Sequence, residues 1–381
     1  MKLFKRGVVI RESIGDECDP SGTALNHLLL AYTLEELGEL AEAQPYYNRA
    51  FELYHASFGP QHPRTLSLAV KLAASALERG DQSRAIDLLE GTRMLINGAA
   101  ETVGPQVSPA DLNNLGYAFW LRGDYATARR LYELALSRRL EPTTLNNLGM
   151  IAERLGEYTA AVKHYRDALS ALQEQRASHW RSVLQARILN NLGVGLTMAG
   201  DTALGARYLN EALAMRLELQ GEESPEYAVT LRNLGLVAQR EGRLNDAQRL
   251  IEQGRDLLAC AHGVRGTEYA HTMQILGELL AGQGDDDAGL NAIEITLDIR
   301  RTVLGPDHPD TAVTFCTLAR ILRRKGLRTE ACEALLSALP IFERRMGADH
   351  PWTIQLREES KPCLADSEAF ASRPVQTEDH S

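Results

Sequence analysis

Lysine is scarce in this chain: 6 residues, against 35 arginines. Acidic side chains number 51 and set the net charge at −10, which argues against a general binder of nucleic acid or anionic membrane. No run approaches the ~18 consecutive apolar residues of a membrane-spanning helix. The basic start, Met1 to Ile10, carries an apolar run too short for a signal peptide, so the cytoplasm is the expected compartment. The cysteines (Cys18, Cys260, Cys316, Cys332 and Cys363) are odd in number and lack the Cys-x-x-Cys spacing. They are expected to be reduced structural thiols. Phosphate-loop, Gly-x-Ser-x-Gly, His-Glu-x-x-His and dinucleotide fingerprints are all missing, so no cofactor or metal is implied and no motif supports an enzyme. Strand-like alternation is missing too, as is any long heptad segment.

What the sequence does contain is one pattern, repeated. Small residues preceded by Leu stand at Ala31, Ala73, Gly116, Gly149, Gly193, Gly235, Gly277 and Ala319, spaced 42, 43, 33, 44, 42, 42 and 42 apart. Seven positions after each stands a glycine, from Gly38 through Gly123 and Gly200 to Gly326. Twelve after comes Ala or Gly, and sixteen after comes Tyr, Leu or Ile. Residues 113–142 show the unit most plainly: two apolar helical patterns meet at Gly123-Asp124, a turn signal. One such helix pair cannot bury its own apolar faces and implies stacked neighbours. The expected fold is all-α, a right-handed superhelical solenoid of about eight helix-turn-helix repeats with terminal capping helices.

The pattern resembles the tetratricopeptide repeat, and most copies resemble the kinesin-light-chain type. The linker of that type appears as Phe58-Gly-Pro-Gln-His-Pro-Arg-Thr65, Leu304-Gly-Pro-Asp-His-Pro-Asp-Thr311 and Met346-Gly-Ala-Asp-His-Pro-Trp-Thr353, and Leu-Asn-Asn-Leu-Gly recurs at 112–116, 145–149 and 189–193. The resemblance spans about 4–358. It speaks to fold more than to task, because such repeats serve many functions.

The expected organisation is a capping helix and linker over 1–19, the repeat array over 20–353, a short capping helix over 354–361 and a disordered, dispensable tail over 362–381. Pro362 is expected to stop the last helix.

Two clusters that look like chemistry have plainer readings. In each His-Pro pair, Pro suits the first position of a helix and pushes the preceding residue out of it. His62, His308 and His350 therefore read as helix-start residues rather than ligands. Asp285, Asp286 and Asp287 fall where carboxylates complement a helix N-terminus.

The resemblance implies that the first helices line a concave groove. Three and two positions before the anchor stand Asn113 and Asn114, Asn146 and Asn147, Asn190 and Asn191, then Arg232 and Asn233. Carboxamides donate and accept at once, so a row of them can bond the backbone of an extended peptide. The plainer alternative is that one Asn of each pair only satisfies nearby backbone. Tyr117 and Trp120 form a candidate apolar pocket on the same side. Arg187, Arg232, Arg320 and Arg323 would make the later part of the groove basic, suiting an acidic ligand. The leading reading is a non-enzymatic scaffold or adaptor that binds an extended peptide or partner segment across repeats three to six. A second class is a regulatory sensor that changes shape on binding a signalling peptide, and a third is an enzyme of unrecognised type.

Overall fold

The computed structural model describes residues 20–36, 40–60, 62–78, 84, 87–88, 108–173, 178–264 and 266–371. The expected N-terminal cap over 1–19 and the last ten residues of the chain lie outside the described residues. The chain divides into two compact units, Met1–Arg122 with Thr127–Leu140 and Glu141–Ser381 with Gly123–Ala126. All regular structure among the described residues is helical.

The first unit holds α1 (Pro20–Glu36), α2 (Leu40–Phe58), α3 (Pro63–Glu78), α4 (Pro109–Leu121) and, from Thr127 on, α5 (Tyr125–Arg138). Leu30, Leu34, Tyr47, Tyr54 and Leu72 form a core between α1, α2 and α3. At 14 residues, α5 is the short second helix that the 33-residue spacing requires.

The second unit pairs α6 (Pro142–Arg154) with α7 (Tyr158–Gln173), α8 (His179–Ala199) with α9 (Thr202–Gln220), and α10 (Pro225–Arg240) with α11 (Leu244–His262). Then α12 (Thr267–Gly282) pairs with α13 (Asp286–Val303) and α14 (Pro309–Arg324) with α15 (Arg328–Arg345), before the final α16 (Pro351–Ala371).

Local chemistry sets the helix ends. Pro opens α6, α10, α14 and α16, where its missing N–H costs no hydrogen bond. Ahead of α10, α14 and α16 a side chain caps the helix: Ser224 Oγ accepts from the Tyr227 N–H at 3.2 Å, His308 Nδ1 from Asp310 at 3.1 Å and His350 Nδ1 from Trp352 at 3.2 Å. These histidines are indeed helix-start residues. Asp285 caps α13 through the Ala288 N–H, while Asp286 and Asp287 meet Arg324 and Lys325. Gly200, with φ 102°, ends α8 in the left-handed region that favours glycine.

The anchor and the residue sixteen places on are partners. A Cβ on Gly193 would lie 2.6 Å from Leu209 Cγ and 2.9 Å from the Gly205 carbonyl. Glycine there lets two helices pack at close range, and the +16 side chain fills the space above it.

Two expectations fail at the C-terminal end. Pro362 does not stop the last helix, which runs on to Ala371. Leu356, Ser360 and Cys363 form a buried stripe on it, and Pro362 sits on the exposed side. Burial of that stripe outweighs the proline's lost bond. Nor are all the cysteines reduced: Cys332 of α15 and Cys363 of α16 form a disulfide. With Cys363 in the core at 4% exposure, the tail does not become dispensable at residue 362.

Candidate functional site

First helices of consecutive repeats touch one another along the second unit, α6 to α8, α8 to α10, α10 to α12 and α12 to α14. Residues at one offset therefore form a row. The asparagines of α6, α8 and α10 make a directional relay in it. Arg232 Nε donates to Asn233 Oδ1 at 3.3 Å, and Asn233 Nδ2 to Asn190 Oδ1 at 3.0 Å. Asn190 Nδ2 donates to Asn191 Oδ1 at 3.1 Å, Asn191 Nδ2 to Asn146 Oδ1 at 3.0 Å, and Asn146 Nδ2 to Asn147 Oδ1 at 3.5 Å. Every member donates in the same direction, so the dipoles reinforce one another. Asn146, Asn147, Asn190, Asn233 and Arg232 are buried, and Asn191 is partly exposed.

Beyond α10 the row changes character. Gln274 Nε2 donates to Glu278 Oε1 at 2.7 Å and to Thr317 Oγ1 at 2.8 Å. Arg320 lies 3.7 Å from the Glu278 carboxylate, and Arg323 lies 3.8 Å from that of Glu359. Arg232 itself meets Glu268 at 2.7 Å. Three of the four arginines read as basic thus stand beside carboxylates. Arg187 is exposed and has no ion pair among the described residues.

In the first unit Asn113, Asn114, Tyr117 and Trp120 all lie on α4 and are half-buried. The two rings stack on each other, with centroids 5.6 Å apart and planes at 9°.

Several polar groups were not singled out from the sequence. Arg154 at the end of α6 reaches Asp310 at the start of α14, at 3.2 Å, so the second unit bonds to itself across 156 residues. In the neighbouring turn the His350 side chain donates a hydrogen bond to the Leu155 backbone carbonyl. Burial pushes the Asp310 carboxyl upward, but the Arg154 guanidinium outweighs it and holds the group below the usual range. Glu268 follows the same rule, with Arg232 as the offsetting charge. His271 has its pKa driven well below the ordinary value, by burial first and then by Arg232 and Arg154.

Arg300, buried in the second helix α13, donates to the Asp310 carbonyl at 2.8 Å, to Thr314 Oγ1 at 2.8 Å and to Gln274 Oε1 at 3.3 Å. Arg216, two repeats earlier, makes the matching bonds to the Glu226 carbonyl and Thr230 Oγ1, and burial lowers its pKa to about 10. A signal for the acidic set did exist in the sequence. Glu226, Glu268 and Asp310 all stand nine positions before an anchor, 42 residues apart.

Among the described residues no group of three or more His, Cys, Asp or Glu side chains is placed to hold a metal ion. No described helix is long and apolar enough to cross a membrane.

Tetratricopeptide repeat profiles match residues 22–90, 184–259 and 268–344, and a second profile of the same description matches 112–141 and 143–174. The chain belongs to the tetratricopeptide repeat family. Solved structures similar to this tetratricopeptide repeat protein include a Rap protein complexed with competence and sporulation factor. That match has 11% identity and a TM-score of 0.60, over 92% of this chain and 99% of that one. BtubC (BKLC) from P. vanneervenii matches at 22% identity with a TM-score of 0.42, over 64% of this chain and 90% of that one. A Podosopora anserina structure described as kinesin light chain, with nearly identical TPR-like repeats, matches at 18% identity with a TM-score of 0.38, over 53% and 94%. At these identities the likeness shows the fold alone. A search of curated proteins finds no significant match. The tetratricopeptide fold supports a general role as a protein-interaction scaffold.

Proposed function

We propose that this tetratricopeptide repeat protein binds an extended peptide or partner segment along the row formed by α6, α8 and α10. The observation that carries the reading is the directional amide relay. Each carboxamide has two N–H groups and two acceptor sites. The described bonds of Asn190, Asn191 and Asn233 use one N–H apiece. The relay fixes the amides in one orientation before any ligand arrives, which lowers the ordering cost of binding. Exposed Arg187 on α8 gives the row a cation for a ligand carboxylate, in keeping with an acidic partner.

A selection from a displayed library of short linear peptides, followed by affinity measurements on the full chain, tests this. Arg187→Glu lies on the surface and should leave folding intact while weakening an acidic selected peptide about tenfold or more, one charge-assisted contact being replaced by repulsion. Val194→Trp, one position after the α8 anchor, should obstruct the row. Undiminished binding by both variants would refute the reading.

One observation favours the sensor as a second reading. The Arg154–Asp310 pair joins repeats far apart in the second unit, and a ligand that alters it would change the unit's shape. The Rap protein with its bound factor is a structure of the same fold in which such a factor is held. Small-angle scattering of the chain with and without a selected peptide separates the two: a passive adaptor keeps its radius of gyration and a sensor does not.

A further inference from the structure

The first helix of repeat five is longer than its neighbours. α8 has 21 residues where α10, α12 and α14 have 16, and the anchor spacing before it is the widest, at 44. Ser178 caps it, its hydroxyl accepting from the Arg181 N–H at 3.2 Å, which fixes Arg181 in the added first turn. Together with the second helices α7 and α9, that turn lines a partly open cavity of about 200 Å³.

Leu169 and Leu172 of α7, Leu189 of α8 and the Tyr208 ring of α9 supply apolar wall. Arg181 and Glu211 supply one charge of each sign. The Nε of Arg181 is buried and has no hydrogen-bond partner among the described residues. Glu211 stands at the exposed rim and makes no ion pair among the described residues, with Arg181 or any other cation. A buried donor on a permanent cation is costly to leave unmade. Two unlike charges that line one cavity without meeting each other leave room for a molecule carrying both.

We propose that this cavity binds a small zwitterion with an apolar side chain, of the free apolar amino-acid class, its carboxylate accepting from Arg181 and its ammonium donating to Glu211. A cavity of about 150 Å³ holds benzene, so this volume suits a leucine-sized guest. The site lies against the second helices and is distinct from the amide row, so its failure would leave the proposed function standing.

Titration calorimetry of the full chain with L-leucine, N-acetyl-L-leucine and L-leucinamide tests the assignment. The first carries both charges; the others mimic the carboxyl-terminal and amino-terminal residue of a peptide. Leucine should bind at micromolar to millimolar concentration, and each analogue about tenfold or more weaker, for the loss of one charge-assisted bond. Leu169→Trp, which fills the cavity, and Arg181→Met, which removes the donor, should each abolish leucine binding, with melting temperature recorded as a control. Should Leu169→Trp fail to fold, Arg181→Met alone decides. The proposal is overturned if leucine does not bind at millimolar concentration, if either analogue binds as tightly, or if a folded variant binds leucine like the parent.

Discussion

Along the row of the second unit, α6 to α10 and α12 to α16 line the same face with different chemistry. The first stretch joins helices with neutral carboxamides in a one-way relay. The second uses Gln274 with Glu278, and Arg320 and Arg323 beside carboxylates. Arg232 is the junction, bonded to Asn233 on one side and Glu268 on the other. The difference teaches where a peptide has most to gain. Partly exposed Asn191, held in orientation by its buried neighbours, can meet a ligand without first breaking an ion pair, whereas an arginine already beside a carboxylate must give one up.

Breaking the relay in the middle should have the largest effect. Asn190→Leu leaves the Asn233 donor and the Asn191 acceptor without partners, which should cost about 2–4 kcal/mol. The matching change in the other stretch, Thr317→Val, should cost about 1 kcal/mol or less, because Gln274 and Glu278 still bond each other. Denaturant unfolding of both variants checks the contrast, and equal losses would show that the relay has no special standing.

Arg232→Met comes next. It removes the start of the relay and leaves Glu268 without its guanidinium. The arginine is buried but Glu268 is half-exposed, so solvent softens the loss to about 1–3 kcal/mol.

Acid should act on the charged groups and spare the relay. His271 has a lowered folded pKa, so the stability it contributes is complete above its unfolded value of about 6.5. That contribution is lost as pH falls below this value toward the folded pKa. Asp310 and Glu268 are depressed for the same sign of effect, so their share goes lower still, beginning near the ordinary carboxylate range and running down through their folded pKa values. His271→Gln should flatten the first part of the stability-against-pH curve and leave the acidic part in place. A variant with an unchanged curve would remove His271 from the account.

Salt should give the smallest difference. Raising sodium chloride from about 0.1 to 1 M shortens the screening length from about 10 to 3 Å. The half-exposed pairs at Arg320 and Arg323 should lose up to about 1 kcal/mol. Hydrogen exchange should then quicken at α14 and α16 while α6 to α10 hold.

How much of this was legible in the sequence depends on which residue is asked. The repeat was, because Gly193, Gly200 and Leu209 stand at offsets dictated by close packing and backbone conformation, which local sequence records. The asparagine row was legible as a row, but the way each amide bonds its neighbour was not, since that depends on the placement of the adjoining helix. The acidic positions Glu226, Glu268 and Asp310 carried a 42-residue signal, yet the pairing of Asp310 with Arg154 and of Glu268 with Arg232 arises from long-range geometry. At the last helix, a local rule for Pro362 lost to a tertiary contact through Cys363.

The measurement that bears most directly on the central claim is hydrogen exchange of the full chain with and without a selected peptide. The account predicts protection concentrated on α6, α8 and α10, with Arg187→Glu diminishing it and the second helices α7, α9 and α11 unchanged. Protection confined to those second helices, with the amide row unaltered, would contradict it.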